Sequence, residues 1–116
     1  MKKKVVAWLV LTLSAATSAV PVGAPRQIEI MAMKFSYMPN EITLKKGEPV
    51  TLVLHSMDVT HGLKIEAFHI TIEEIKKGQD KKIEVTPTAT GQFEGRCAHY
   101  CGKDHGSMTL TVNVVE

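Results

Sequence analysis

The chain has 116 residues, of which 44% are hydrophobic and 22% are charged, and its 14 basic and 12 acidic residues give a net charge of +2. This length provides for one domain with one hydrophobic core and excludes two. Basic residues do not form a stripe with interleaved aromatic residues, so we expect no nucleic-acid binding, and the pairs Lys45-Lys46 and Lys81-Lys82 are interpreted as exposed turn residues.

The first 24 residues have the pattern of a secretory signal peptide. Lys2–Lys4 precede the apolar run Val5–Leu11, and small residues follow as far as Ala19. We expect cleavage after Ala19 or after Ala24. An uncleaved membrane anchor is the alternative, but the apolar stretch falls short of the roughly 20 residues that span a bilayer. The expected product is therefore exported, periplasmic or otherwise extracytoplasmic, with residues 25–116 as its one domain and no stable membrane span.

Removal of this segment also changes the charge, because three of the 14 basic residues and none of the 12 acidic residues lie in it. The remaining chain carries a net charge of −1. The basic character of the whole sequence thus belongs to the signal peptide.

Apolar residues at every second position predict short strands through the rest of the chain. These runs are Ile28–Ala32, Val50–Leu54, Ile83–Val85, Phe93–Cys97 and Leu110–Val114. Turn signals such as Met38-Pro39-Asn40 separate them. The spacing predicts an all-β sandwich of about seven strands. Within residues 70–77, Thr71 and Glu74 have the spacing of a capping box, which would indicate one helical turn.

The residues that carry chemistry are concentrated near the carboxyl terminus. The segment Cys97–Met108 contains two thiols, two imidazoles and a thioether, contributed by Cys97, His99, Cys101, His105 and Met108. It joins two predicted strands, so its donors share one loop at an end of the sandwich. Sulfur donors combined with imidazole suit copper in both oxidation states. A zinc site of two Cys and two His is the competing interpretation, and Met108 favours copper because zinc seldom takes a thioether.

The spacing Cys-x3-Cys-Gly-x2-His-x2-Met in this loop resembles that of the cupredoxins, and within them of the binuclear CuA domains of cytochrome c oxidase subunit II and nitrous oxide reductase. An upstream His that follows an Asp-Val pair is also typical of these domains, and here Asp58-Val59-Thr60-His61 has that form. The similarity extends to Phe35–Pro39 and Ile42–Gly47. It implies a cupredoxin-like Greek-key β-sandwich.

The resemblance implies a metal centre with two copper ions. In such a centre Cys97 and Cys101 would bridge the ions, His61 and Met108 would ligate one ion, and His105 with the backbone carbonyl of His99 would ligate the other. The implied function is one-electron transfer with redox partners such as a cytochrome or a terminal oxidase or reductase. Because protein ligands fill every metal position, we do not expect the chain to be an enzyme.

Two departures from the family pattern leave alternatives open. The family usually has Glu where this chain has His99, so His99 could instead be a third imidazole ligand of a mononuclear copper site. Subunit II also has transmembrane helices and an aromatic patch, whereas the single Trp8 here lies in the predicted signal, so we do not expect an oxidase subunit. A copper chaperone or storage protein that delivers metal to an acceptor is the alternative function.

The remaining sulfur and imidazole groups have simpler interpretations. Cys97 and Cys101 could form a disulfide, which we expect only as an oxidation product of metal-free protein. By its parity in the strand, His55 is expected at the surface, and Tyr100 is expected to pack beside the site. No role is assigned to His69. The other methionines are expected in the core or on the surface, although a methionine-rich face could receive Cu(I) from a donor. These methionines are Met31, Met33, Met38 and Met57.

Overall fold

The computed structural model describes residues 25–116. Within this range the chain forms nine strands: β1 Arg26–Met33, β2 Ser36–Met38, β3 Glu41–Lys45, β4 Val50–Ser56, β5 His61–Ile65, β6 Ile70–Ile75, β7 Lys81–Val85, β8 Gly91–Arg96 and β9 Thr109–Val115. Two 3₁₀ turns, Glu66–Phe68 and His105–Ser107, lie between strands. The predicted signal peptide, with cleavage after Ala19 or Ala24, lies outside the described residues.

The strands form two sheets, which confirms the predicted all-β sandwich. One sheet has four strands in the order β2-β1-β4-β7, and the other has five in the order β3-β9-β8-β5-β6. The chain passes repeatedly from one sheet to the other, as in Greek-key sandwiches. The pairs β1·β4 and β3·β9 are parallel, and the other strand pairs are antiparallel.

The structure has more strands than the seven expected. Strand β2 is only three residues long, too short to show a two-residue period, and β6 lies in the segment whose sequence also suggested a helical turn. The possible helical turn at residues 70–77 is wrong. Ile70 and Ile75 are buried, and β6 pairs with β5 through backbone hydrogen bonds. Burial of these two side chains and the supply of backbone partners by β5 outweigh a local capping preference that is worth about 1 kcal/mol.

Alternating apolar side chains from both sheets meet in one core, as the two-residue period predicts. Its fully buried members include Ile30, Leu52 and Leu54 from the four-stranded sheet and Leu44, Leu63, Ile65, Leu110 and Val112 from the five-stranded sheet. Because β9 lies between β3 and β8, it is anchored on both edges. A segment that begins or ends on β9 therefore has a rigid support.

Two loops meet at one end of the sandwich. The first connects β8 to β9 and contains residues 97–108, and its base is closed by a hydrogen bond from the Cys97 amide to the Met108 carbonyl at 3.3 Å. The second connects β4 to β5 and ends at His61. Since β5 runs antiparallel to β8, the start of β5 and the end of β8 lie at the same edge. The topology thus brings His61 to the cysteine loop.

Within residues 25–116, no helix combines the length and the apolar character needed to cross a membrane.

Candidate metal centre

The β8–β9 loop brings four of the predicted ligands together around one thiol. The Cys101 Sγ atom lies 3.9 Å from Cys97 Sγ, 3.6 Å from His105 Nδ1 and 3.9 Å from Met108 Sδ. Both cysteines are free thiols and are 7% exposed, and Met108 is fully buried, as its parity on β9 predicts. Two further sulfur atoms and one imidazole nitrogen therefore each lie within 4 Å of the Cys101 sulfur.

His61 completes this cluster from the second loop. Its ring is fully buried, and one ligating atom from each of His61, Cys97 and Cys101 lies within 4.8 Å of the others. Its Nε2 atom is 2.6 Å from Asp58 Oδ1, whereas its Nδ1 atom has no hydrogen-bond partner among the described residues. An unpaired buried polar atom costs about 1–3 kcal/mol. Because Asp58 accepts a hydrogen bond from the Nε2–H group, Nδ1 has a free lone pair that a metal ion can take.

Asp58 holds His61 in this orientation and is itself held by the backbone. Its carboxylate accepts hydrogen bonds from the amide of Lys34 at 2.8 Å and from the amide of Val59 at 2.6 Å. Burial alone would raise the pKa of Asp58, but these hydrogen bonds and the one from His61 together lower it below the ordinary value. Asp58 is thus ionised at neutral pH. Its position three residues before His61 was visible in the sequence, but its role was not.

Gly62 allows the two loops to approach each other closely. Its amide donates a hydrogen bond to Cys97 Sγ at 3.4 Å. A Cβ atom at this position would lie 2.8 Å from the Ile72 carbonyl oxygen and 3.0 Å from the His99 amide nitrogen. No side chain fits there without displacing backbone, so glycine is required.

Tyr37 supports the same residue from the core. Its hydroxyl donates a hydrogen bond of 2.6 Å to the Gly62 carbonyl, and its ring is 2% exposed. Burial, together with the neighbouring Cys97 thiol, raises the pKa of Tyr37 well above its ordinary value, so the hydroxyl remains a donor. In the sequence, Tyr37 stands out only as part of the segment Phe35–Pro39 that resembles the family, and no local signal predicts this contact.

His99 contributes its backbone to the cluster. The His99 carbonyl oxygen lies 3.1 Å from Cys97 Sγ. The neighbouring Tyr100 is 75% exposed, and its ring centre is 5.7 Å from that of His105. Tyr100 thus lies against a predicted ligand and faces solvent.

The other two histidines of the described range are not brought to this cluster. His55 lies on β4 and interacts with Asp80 and Glu29. His69 follows the first 3₁₀ turn and has a left-handed backbone conformation, with φ of 55°.

The donor set is soft and matches copper better than zinc. It combines two thiols, one thioether and two imidazoles with a nearby carbonyl oxygen, and sulfur donors of both kinds together with imidazole are typical of copper sites. Burial, followed by the proximity of Cys97, raises the pKa of the Cys101 thiol to about 11. At neutral pH the metal-free protein therefore keeps a proton on Cys101, and a metal ion must displace it.

Comparisons with known proteins point to the same kind of domain. The model of the cupredoxin-like domain family matches residues 4–112. A probable cytochrome c oxidase subunit 2 of Streptomyces coelicolor is 40% identical over 72 residues, which are 62% of this chain and 22% of that protein. Cytochrome c oxidase subunit 2 of Thermus thermophilus is 31% identical over 89 residues, which are 77% of this chain and 65% of that protein. The chain thus spans between about a fifth and two thirds of these relatives.

Solved structures have the same fold. The periplasmic domain of cytochrome oxidase subunit II from Bradyrhizobium japonicum superposes with a TM-score of 0.74 at 22% identity, over 81% of this chain and 86% of that one. The metal-binding domain of the Cu(I)-exporting P-type ATPase of Streptococcus pneumoniae, solved with Cu(I), gives a TM-score of 0.63 at 27% identity, over 78% and 85% of the two chains.

The close approach at Gly62 generates a first prediction. We expect Gly62→Ala to lower the free energy of unfolding by about 1–3 kcal/mol, because the added methyl group must push backbone atoms apart. It should also reduce copper uptake, because it separates His61 from Cys97. Chemical denaturation and the copper-to-protein ratio after loading measure both effects.

Gly106→Ala is the matched control, because Gly106 also follows a predicted ligand, yet a Cβ atom there has no neighbour within 4 Å. We expect its unfolding free energy to stay within about 0.5 kcal/mol of the parent. Equal losses in the two variants would contradict the steric account.

The raised pKa of Cys101 generates a second prediction, for metal-free protein. Only the thiolate is alkylated, and an ordinary thiol has a pKa of about 8.5. The rate of Cys101 alkylation by iodoacetamide should therefore keep rising with pH beyond about 9 and level off only near pH 11. Mass spectrometry of the digested protein resolves Cys101 from Cys97, and an unstructured cysteine peptide is the reference. A plateau at the pH where the peptide levels off would contradict the burial of this thiol.

Proposed function

The chain belongs to the cupredoxin-like domain family, and from this membership and the geometry of its two loops we propose that it binds copper and transfers single electrons. The observation that carries the proposal is the buried ring of His61: its Nδ1 atom has no hydrogen-bond partner within residues 25–116, and one of its ring nitrogens lies within 4.8 Å of two free thiols. A buried lone pair beside two buried thiols is costly in a metal-free fold and favourable in a metal-bound one.

We assign the copper ligands from the residue spacing of the β8–β9 loop and from the contacts within the cluster. Cys97 and Cys101 would hold both copper ions, His61 and Met108 would be further ligands of one ion, and His105 with the carbonyl of His99 would be ligands of the other. The contacts of Cys101 with His105 and Met108 and the contact of Cys97 with the His99 carbonyl favour this arrangement.

The protein contributes a constant environment for electron transfer. Bound copper supplies the one-electron couple. The loop that carries Cys97 is fixed at its base by the Cys97–Met108 backbone hydrogen bond, and Asp58 fixes the ring of His61. Both thiols are shielded from water. Since protein groups occupy every assigned position, the domain itself binds no substrate and acts as a carrier.

The location and the partners follow from the same proposal. The relatives are subunits 2 of cytochrome c oxidase, and one structural neighbour is a periplasmic domain. We infer that this chain is exported and works outside the cytoplasm, after cleavage behind Ala19 or Ala24. Its partners would be an electron donor such as a cytochrome and an acceptor such as a terminal oxidase or reductase.

A copper-handling role is the second candidate. It is favoured by the similarity to the metal-binding domain of a Cu(I)-exporting ATPase, at 27% identity. In this role the same ligands would hold Cu(I) for delivery to an acceptor. A mononuclear centre with the His99 imidazole as a ligand belongs to this second account.

Copper loading of the reduced protein tests the first account directly. We expect two coppers per chain and a seven-line hyperfine pattern in electron paramagnetic resonance, because one unpaired electron is shared by two bridged ions. A single copper with a four-line pattern would contradict the binuclear centre. Repeated oxidation and reduction beside a Cu(I) chelator then separates the two functions for this buried centre, since a carrier centre keeps its copper and a donor centre loses it within minutes.

A matched pair of histidine variants tests the ligand assignment. His99→Ala should keep both coppers and the seven-line pattern, because the ligand at this position is a backbone carbonyl. His105→Ala should lose the binuclear signal, because it removes an imidazole ligand. The copper-to-protein ratio and the resonance spectrum measure both outcomes. Loss of the centre in His99→Ala, with retention in His105→Ala, would instead support the mononuclear account.

A further inference from the structure

The methionines outside the candidate metal centre share one region of the surface. The sequence contains six methionines, of which Met1 lies outside the described range and Met108 belongs to the buried centre. Ile30 and Ala32 of β1 point into the core, so the intervening side chain of Met31 points outward from the four-stranded sheet. Met33 follows on the same side of β1, Met38 lies on β2, and Met57 directly follows β4.

Strand register turns part of this region into a row. Met31 lies opposite Met38 on β2 and opposite His55 on β4, so the three residues cross three neighbouring strands in one line. The side chains point to the same face, because directly opposite residues in a sheet do so. Met38 is 59% exposed and Met31 is 37% exposed, and the side chain of His55 is 24% exposed. All three can be reached from solvent.

The spacing of this row suits a shared metal ion. Opposite residues have Cβ atoms about 4.5–5.5 Å apart. A metal–sulfur bond is about 2.3 Å long, so two sulfur atoms on one ion lie at most about 4.6 Å apart. Methionine has three rotatable bonds and reaches such a position without a change in the backbone. Met31, in the centre of the row, is next to both other donors.

His55 is oriented as a metal-binding imidazole. Its Nδ1 atom is 2.5 Å from Asp80 Oδ1, so the Nδ1–H group donates a hydrogen bond to this carboxylate and Nε2 has the free lone pair. The nearest acidic atom to Nε2 is Glu29 Oε1 at 3.6 Å, beyond hydrogen-bond distance, on a side chain that is 68% exposed. Pairing of a ligand histidine with a carboxylate is typical of metal sites, where it fixes the ring and strengthens the donor.

We propose that Met31, Met38 and His55 form a second metal site, specific for Cu(I), on the outer face of the four-stranded sheet. Thioether sulfur selects Cu(I) over Zn²⁺ and over Cu(II). The site has no thiol and is open to solvent, so it binds Cu(I) more weakly than the buried centre and exchanges it more readily. It does not depend on the electron-transfer function proposed above.

The site adjoins the loop that carries His61. The amide of Met57 donates a hydrogen bond to the Ala32 carbonyl, and the amide of Lys34 donates one to Asp58. These bonds tie the end of β1 to the segment before His61. Cu(I) held on the methionine row is thus close to the end of the sandwich at which the buried centre lies, as an entry position for incoming metal requires.

Methionine methyl groups report this site individually. Protein with ¹³C-labelled methionine methyl groups is titrated anaerobically with Cu(I) until the Met108 signal stops changing, and the titration is then continued. We expect the Met31 and Met38 signals to shift together in the second stage, with the imidazole signals of His55. Zinc should shift neither methyl group. Unmoved Met31 and Met38 signals, or equal shifts with zinc, would overturn the proposal.

Variants assign the ligands. The double change Met31→Leu with Met38→Leu keeps the apolar surface and removes both sulfur atoms, so we expect the second-stage Cu(I) affinity, measured against a chelator, to fall by at least about tenfold. Met57→Leu is the matched control, because Met57 is 52% exposed beside the row, and its affinity should stay within about twofold of the parent. Equal losses in the two variants, or no loss in the double variant, would refute the three-residue site.

The two proposals fail independently. Both variants should keep the copper content and resonance spectrum of the buried centre, whichever spectrum it gives. A four-line spectrum together with shifted Met31 and Met38 signals would remove the binuclear centre and leave the surface site in place. A seven-line spectrum with unshifted Met31 and Met38 signals would support the binuclear centre and remove the surface site.

Discussion

The close approach of two loops at Gly62 is the constraint on which the candidate centre depends. His61 and the cysteine loop are distant in sequence, and they meet because the Gly62 backbone lies against the carbonyls of β6 and the amide of His99. The amide of Gly62 then reaches the Cys97 sulfur, and its carbonyl is held by Tyr37. Each bond is worth about 1 kcal/mol by itself. Their common effect is to fix a ligand of one loop relative to the thiols of the other.

Burial makes this arrangement costly for the metal-free protein and favourable for the metal-bound one. Among residues 25–116, the buried Nδ1 atom of His61 has no hydrogen-bond partner to replace its hydration, and burial raises the pKa of the Cys101 thiol. The pKa of Asp58 shifts in the opposite direction, because hydrogen bonds from backbone amides stabilise its charged form. The site therefore has one fixed carboxylate, one imidazole aimed inward and a protonated thiol that releases its proton when metal binds. Metal binding and folding stability are coupled through these groups.

Local patterns in the sequence indicated much of this structure, and contacts between distant segments supplied the rest. Parity alone placed Met108 and Cys97 inward, and the alternation of β1, β4 and β9 gave the sandwich. The β6 strand could not be predicted from its own sequence, since Thr71 and Glu74 have the spacing of a helix start. Only its pairing with β5 makes this segment a strand. Likewise, the sequence around Tyr37 indicates only a strand residue, and its hydrogen bond to the Gly62 carbonyl depends on how the two distant segments fold together. The row of Met38, Met31 and His55 depends on the parallel register of β1 with β4. That register joins distant segments and cannot be predicted from the sequence of either strand alone.

The difference in exposure between the two proposed sets of copper donors bears on the choice between a carrier and a donor of copper. A competing ligand can attack a metal on exposed side chains such as Met38 one bond at a time, whereas release from Cys97 and Cys101 requires the loop to open. An electron carrier needs slow release, and a protein that receives metal needs a position with fast exchange. One domain can meet both needs if the two positions are separate. On this view, similarity to oxidase subunits and similarity to a Cu(I)-handling domain are compatible. The buried centre would account for the similarity to oxidase subunits. Retention of copper in that centre would not argue against exchange of Cu(I) at the outer face.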